Sequence, residues 1–104
     1  MKYIYHITKK ETWQQAKDKN SYDFCTLKTS GFIHASTENQ YLKVANYLFK
    51  NQQGLVLLKI DTEKVAPKII YENLEGGEEL FPHIYGELSP SAVIDIFDLS
   101  LIHI

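Results

Sequence analysis

Three of the four histidines lie in short apolar segments, where an imidazole is an unusual choice. His6 lies in IYHIT, His34 in GFIHAST and His83 in FPHIYGE. Imidazole exchanges protons near neutral pH and is the commonest metal ligand, so these three residues are the first candidates for chemistry. The fourth histidine, His103, lies in the terminal segment SLIHI and is not assigned to the predicted site.

The three segments alternate between apolar and polar residues, which is typical of β-strands whose side chains point to opposite faces in turn. His34 shares its face with Ser36, and His83 shares its face with Tyr85 and Glu87. If the histidine faces converge, one cleft is lined by His6, His34, Ser36, His83, Tyr85 and Glu87. Ser36 also precedes a predicted helix, where free backbone amides favour an anionic group.

Three glutamates compete for the acidic position of such a site. Glu87 follows the third histidine segment, Glu72 ends a predicted strand, and Glu79 ends the loop that contains Gly76 and Gly77. Each of the candidate types also has a structural interpretation. A histidine on a strand is more often a hydrogen-bonded structural residue, a serine before a helix is often a cap, and adjacent carboxylates in a loop are commonly solvated.

The charged residues narrow the class of function. The 104-residue chain has a net charge of −2, and all eleven of its basic residues are lysine. A weakly acidic chain lacks the basic surface that nucleic-acid binding needs. Because arginine is absent, a phosphate must be bound by lysine, histidine or backbone amides instead of a planar guanidinium.

The remaining composition predicts a single domain, residues 1–104, located in the cytoplasm. One cysteine, Cys25, excludes an internal disulfide and fits a reducing compartment. The chain has no apolar run of the roughly 18 residues that a membrane span requires, and its N-terminus is too short and too polar for a signal peptide.

Hydrophobic periodicity predicts an α+β fold with two helices in the N-terminal half, packed on a mostly antiparallel sheet. The first helix is expected after a capping box formed by Thr8 and Glu11, and the second after a cap at Ser36 or Thr37, with Gln40 completing a box from Thr37. Pro82 suggests that its strand is an edge strand or begins there. The predicted strands cover residues 3–7, 32–35, 55–60, 68–72, 83–86 and 93–99.

Taken together, IYHIT, GFIHAST and the segments LVLLKID and YENLEGGEELFPHIYGEL resemble the domain of unknown function family 952. The resemblance covers residues 3 to about 98 with the segments in the same order. It implies a small bacterial protein whose fold is similar to that of ADP-ribosyltransferases, which bind NAD between two antiparallel sheets. In that superfamily the position of His6 contacts the nicotinamide ribose, the position of Ser36 braces the sheet, and a late glutamate completes the site.

Three functional hypotheses follow. The first is an enzyme similar to ADP-ribosyltransferases, with a histidine-lined cleft that acts on NAD or another nucleotide-like substrate. The second is a non-catalytic module that binds a small anion or a nucleotide for regulation. The third is a metal site of His6, His34 and His83, which is the least favoured because no local metal-binding spacing such as HEXXH is present.

Overall fold

The structure is a computed structural model, and it describes residues 3–22, 31–49, 52–73 and 79–99. These residues form two α-helices, both in the N-terminal half, and six strands, in agreement with the predicted α+β class. In chain order they are β1 (Tyr3–Lys9), α1 (Lys10–Lys19), β2 (Ile33–His34), α2 (Tyr41–Leu48), β3 (Leu55–Asp61), β4 (Lys68–Glu72), β5 (Phe81–Tyr85) and β6 (Val93–Asp98). Neither helix is long and apolar enough to cross a membrane.

The strands form two antiparallel sheets of three strands each. Sheet one has the order β1-β3-β6, and sheet two has the order β2-β5-β4. The sheets meet where Tyr5 of β1 and Ser36, two residues after β2, exchange two backbone hydrogen bonds of 2.7 Å each. Consequently the chain that leaves β2 passes directly from one sheet to the other.

The core lies between the inner faces of the two sheets, and a second apolar cluster lies between sheet one and α2. The central strand β3 supplies both clusters, which explains why its sequence is almost continuously apolar. The first cluster contains Ile4, Trp13, Ala16, Tyr22, Ile33, Ala35, Val56, Leu58, Ile60, Ile84, Leu88 and Ala92. The second contains Tyr5, Ile7, Ala45, Leu55, Leu57 and Leu99. Strands β1 and β3 of sheet one are therefore covered on both faces, whereas β6 is mostly exposed and neither cluster covers the outer face of sheet two.

The predicted capping box of Thr8 and Glu11 is wrong. Strand β1 continues through Lys9, which pairs with Leu55, and no side chain caps α1. The backbone N–H of Lys10 donates to the carbonyl of Gly54 at 2.8 Å. Ladder hydrogen bonds to β3 therefore satisfy the backbone at the point where a cap was expected, and Thr8 remains a buried strand residue.

The start of α2 follows the prediction in part. Ser36 is held in the bridge to Tyr5 and does not cap the helix, which begins only at Tyr41. The backbone N–H of Thr37 donates to Oε1 of Gln40 at 3.0 Å, which is one half of the predicted box. The amide group of Gln40 also donates from Nε2 to the carbonyl of Leu80 at 2.9 Å, so the same side chain ties α2 to the segment before β5.

Pro82 lies in β5, the middle strand of sheet two, although its ring suggested an edge strand. Its carbonyl accepts from the N–H of Ala35 at 3.0 Å. The nitrogen and carbonyl of a residue in an antiparallel strand point to the same neighbour, so the missing N–H faces the end of β2. There the chain turns to pair with β1, and the proline removes only a terminal hydrogen bond.

Among the three glycines in the described residues, Gly86, directly after β5, has the closest neighbour. A Cβ atom added there would lie 2.7 Å from Cβ and 2.8 Å from Cγ of Pro67, whereas one added at Gly54 would meet nothing within 4 Å. We expect Gly86→Ala to lower the free energy of unfolding by about 1–3 kcal/mol, because the pyrrolidine ring cannot move aside without shifting the chain.

Urea unfolding of Gly86→Ala, Pro67→Gly and the double variant measures this contact. The Pro67→Gly change should restore part of the free energy of unfolding that Gly86→Ala loses. It should restore none of the free energy that Gly54→Ala loses, because the cost at residue 54 comes only from the left-handed backbone (φ 73°). Strictly additive effects of Gly86→Ala and Pro67→Gly would show that the two residues do not touch.

Candidate functional site

Two of the predicted histidines lie side by side on the outer face of sheet two. His34 of β2 and His83 of β5 are direct partners in the ladder, and Ile33 and Ile84 are partners on the opposite, buried face. The strand period of two then places the outward neighbours of these histidines, Phe32 and Tyr85 among them, on the same outer face. The alternation seen in GFIHAST and FPHIYGE is therefore the alternation between core and outer face.

Aromatic contacts hold this group together, and we refer to Phe32, His34, Glu72, His83 and Tyr85 as the histidine cluster. The rings of Phe32 and His83 stack with centroids 4.1 Å apart and planes 22° apart. The ring of His34 stands edge-on to both, at 4.8 Å from Phe32 and 5.2 Å from His83. The ring of Tyr85 is tilted by 44° against Phe32 at 5.2 Å.

Glu72, at the end of β4, is the carboxylate of the cluster. Its Oε2 atom accepts a hydrogen bond from Nδ1 of His83 at 2.9 Å and another from the hydroxyl of Tyr85. The bond from Tyr85 and then the bond from His83 lower the pKa of Glu72, and the same tyrosine–glutamate bond raises the pKa of Tyr85. Because a carboxylate accepts, His83 carries a proton on Nδ1.

Solvent reaches the cluster from one side. The side chain of Glu72 is 22% exposed and Tyr85 is 36% exposed, and His34 is half-buried. His83 and Phe32 are buried. A ligand that approaches the outer face of sheet two would therefore touch Glu72, Tyr85 and His34, with His83 and Phe32 beneath them.

His6 does not join the cluster, which corrects the prediction of three converging imidazoles. Its side chain shares a face of β1 with Ile4 and Thr8, and that face packs against the core between the sheets. Nδ1 of His6 donates to the backbone carbonyl of His34, and Nε2 lies 2.8 Å from the hydroxyl of Tyr22. The Tyr22 hydroxyl is also 3.0 Å from Oγ1 of Thr8.

Burial lowers the pKa of His6 to about 4, which outweighs the opposite effect of its bond to the His34 carbonyl. The ring is thus neutral at physiological pH. Since a carbonyl can only accept, the single proton is on Nδ1, and Nε2 lies 2.8 Å from the Tyr22 hydroxyl. His6 is a satisfied interior histidine that touches the backbone beneath the cluster.

The other predicted residues lie outside the cluster. Ser36 is buried and engaged through its backbone with Tyr5. Glu79 is exposed and accepts from Nζ of Lys43 at 2.9 and 3.0 Å, and Glu87 is exposed and accepts from Oγ of Ser21 at 3.1 Å. Of the three competing glutamates, Glu72 is the one that contacts a histidine of the cluster, His83.

The family model described as "Protein of unknown function (DUF952)" matches residues 7–96. The chain belongs to this family. It is similar to the crystal structure of protein CC0527 from Caulobacter crescentus, with 32% identity, a TM-score of 0.82, and coverage of 92% of this chain and 84% of that one. The solution NMR structure of CC0527 gives a TM-score of 0.77 at 31% identity, with coverage of 94% and 84%. No curated protein matches the chain.

The metal hypothesis receives no support from this DUF952 structure. In the part of the chain that is described, no three histidine, cysteine, aspartate or glutamate side chains are grouped so that they could hold a metal ion. The imidazole of His6 is committed to the His34 carbonyl and Tyr22, so it cannot complete a set with His34 and His83. Cys25, the paired glycines Gly76 and Gly77, and His103 lie outside the described residues.

Phe32 was not selected from the sequence, although it is central to the cluster. Its signal was available: Phe32 precedes His34 by two residues and must share its face in a strand. An aromatic residue beside a histidine on an exposed face indicates a packed site more specifically than the histidine alone. In contrast, the contact of Glu72 with His83 depends on the register of β4 against β5, where Glu72 pairs with Phe81.

The buried His6 predicts a specific pH dependence of stability. Its pKa is lower in the folded protein than the ordinary value of 6.5, so the unfolded chain binds the proton first as the pH falls. The stabilisation is complete above pH 6.5 and is lost progressively down to about pH 4. We expect the free energy of unfolding to fall by about 2 kcal/mol between pH 7 and pH 5 because of this residue.

Urea unfolding at several pH values, for the natural protein and for His6→Gln, tests the assignment. The variant should be less stable at pH 7 but should lose less stability on acidification, because glutamine does not titrate. The other histidines are present in both proteins, so their contributions cancel in the comparison. Parallel pH profiles for the two proteins would mean that His6 is accessible to protons in the folded state.

Proposed function

We propose that the histidine cluster is the active centre of an enzyme similar to ADP-ribosyltransferases, which transfers a ribosyl group from NAD or another nucleotide-like substrate. The observation that carries the proposal is the position of Glu72. Two donors, His83 and Tyr85, hold its carboxylate at the solvent-facing edge of the cluster. Ribosyl transfer needs such a carboxylate beside the sugar, as other glycosyl transfers do.

The arrangement of the sheets supports the same proposal. Two antiparallel sheets that are joined by the Tyr5–Ser36 backbone pair are compatible with the split sheet of an ADP-ribosyltransferase-like fold. β2 carries His34 in the cluster, and Ser36 at the junction of the sheets follows two residues later, so the cluster adjoins the point where the two sheets are joined. The similarity to the ADP-ribosyltransferase fold is an expectation from the sequence. The side chains of the cluster supply a mechanism for the corresponding reaction.

In the proposed reaction, the bond between the ribose carbon and the leaving base lengthens, and positive charge develops on the sugar. Both described bonds of Glu72 end on Oε2, so Oε1 is available to stabilise this charge and to orient the attacking hydroxyl group. His34 is the histidine that a substrate can touch, and it accepts the proton of the attacking group. His83 and Tyr85 position the carboxylate.

The alternative is a module that binds a small anion or a nucleotide without turnover. The complete absence of arginine favours it, because NAD and related substrates carry a pyrophosphate that arginine usually binds. Lys68 pairs with Tyr85 in the ladder and lies on the same face, so one lysine is available to contact a phosphate at the rim of the cluster. Both functions involve the same class of ligand, but only the enzyme converts the ligand to a product.

Calorimetric titration with NAD and ADP-ribose, followed by mass spectrometry of the reaction mixture, tests the proposal. We expect both compounds to bind and NAD to be consumed. Glu72→Gln should retain binding and lose turnover by at least about a hundredfold, because the neutral amide cannot stabilise the developing charge. Glu79→Gln and Glu87→Gln are matched controls that remove the same charge elsewhere, and both should behave as the natural protein.

Three results would contradict part or all of this proposal. Binding of ADP-ribose without any consumption of NAD would select the non-catalytic module. A loss of turnover in Glu87→Gln instead of Glu72→Gln would place the acidic residue elsewhere. A folded protein that binds neither compound would contradict both functions.

A further inference from the structure

We infer that the histidine cluster binds a substituted ammonium group, a compact organic cation held between the carboxylate of Glu72 and the tilted rings of Tyr85 and His34. This assignment concerns the class of ligand and does not depend on ribosyl transfer. It also reverses the expectation of an anionic ligand that the sequence produced. Three properties of the cluster support it: its charge, the angles between its rings and its access to solvent.

The charge of the cluster is set by Glu72. The carboxylate accepts from two donors, which lower its pKa, so it is ionised at neutral pH. No lysine forms an ion pair with it in the described part of the chain, where Lys43 is paired with Glu79. Lys68 is exposed and lies across the ladder from Tyr85, so it is a basic neighbour at the rim. Glu72 pairs with the imidazole of His83 through Oε2, at 2.9 Å, and both of its described bonds end on that atom, so Oε1 faces a ligand with the negative charge of the carboxylate.

The rings form a corner and not a flat slot. Phe32 and His83 are nearly parallel, at 22°, but His34 is inclined by 66° to Phe32 and by 80° to His83. Tyr85 adds a third orientation, at 44° to Phe32. A flat aromatic ligand can stack on only one such plane, whereas a rounded ammonium group can touch several ring faces at once. The faces of aromatic rings are the usual environment for such a cation.

The chain already holds one cation over an aromatic ring. The ammonium nitrogen of Lys59 lies 4.4 Å from the centroid of Tyr3 on sheet one. On the outer face of sheet two, Tyr85 is 36% exposed, and its hydroxyl is fixed by Glu72. The ring is therefore oriented before any ligand arrives, which reduces the entropic cost of binding.

A charge series with one shared shape tests the assignment. Choline is the cation, 3,3-dimethyl-1-butanol is its neutral counterpart, and 3,3-dimethylbutanoate carries the same branched head with a negative charge. At pH 8 Glu72 is ionised, because its hydrogen bonds lower its pKa. We expect choline to bind about tenfold more tightly than the alcohol, and the carboxylate to bind most weakly. Shifts of the NMR signals of the Tyr85 and His34 rings locate the site.

Variants with opposite expected effects distinguish a site from general charge attraction. Glu72→Gln should remove the preference for choline over the alcohol, whereas Glu63→Gln, an exposed glutamate on the turn after β3, should leave it intact. Lys68→Ala should strengthen choline binding, because it removes the only basic neighbour described at the rim. Thermal unfolding confirms that each variant is folded, and Tyr85→Leu serves as a second test if Glu72→Gln is unfolded, since it removes a ring and should also weaken choline.

Several outcomes overturn the inference. They are equal binding of choline and the alcohol, tighter binding of the butanoate, no shift at Tyr85 or His34, and equal effects of Glu72→Gln and Glu63→Gln. These results are separable from the proposed reaction. Binding of ADP-ribose without binding of choline would support the ribosyl-transfer proposal and contradict the cation site. Binding of choline without binding of NAD or ADP-ribose would support the cation site and contradict ribosyl transfer.

Discussion

The segment that follows Gly31 is bonded to both sheets within four residues, and the rest of the structure depends on that constraint. Ile33 and His34 pair with β5, the N–H of Ala35 donates to Pro82, and Ser36 exchanges its backbone bonds with Tyr5 of β1. The paired part of β2 is only two residues long, so its own ladder is too short to fix its position. The crossing to β1 supplies the additional bonds. His6 adds a further bond from the core to the carbonyl of His34.

This constraint explains why a histidine occurs in an otherwise apolar segment. Ile33 and Ala35 point into the core, and the crossing to β1 fixes their direction, so His34 must point outward. An apolar side chain at position 34 would add exposed hydrophobic surface without filling the core. The two histidines on either side of this backbone have opposite environments. His6 is buried and neutral, whereas His34 is half-buried and stands edge-on to His83 on the outer face.

Sequence patterns predicted what depends on periodicity and missed what depends on contacts. The alternation in GFIHAST and FPHIYGE correctly separated Ile33 and Ile84 from the two outward histidines. The same rule placed His6 on the face it occupies, but it could not show that this face is covered by the second sheet. Burial of a strand face is decided by the other layer, and local alternation contains no information about that layer.

The choice among the glutamates illustrates the same limit. The sequence predicted Glu87 as the catalytic acid, with Glu72 and Glu79 as ligand-binding residues, and it is the pairing of Glu72 with Phe81 that brings the carboxylate of Glu72 within reach of His83. The helix starts were mispredicted for a related reason. The box at Thr8 gave way to ladder bonds between Lys9 and Leu55, because a strand that extends in a sheet satisfies more backbone groups than a single cap does.

A single carboxylate beside aromatic rings can serve a bound cation and a reaction, but the two uses draw on different atoms. The ring faces attract a cation that is already present in the ground state, and equal attraction in the transition state gives no acceleration. Oε1 of Glu72 differs, because it is not used by His83 or Tyr85 and can approach a sugar carbon as its charge develops. Affinity for a cation should therefore depend on the charge of Glu72 together with the rings, and rate on the position of Oε1. The hydrogen bonds from Tyr85 and His83 to Oε2 fix the orientation of the carboxylate. Oε1 therefore keeps its position when the charge near it changes.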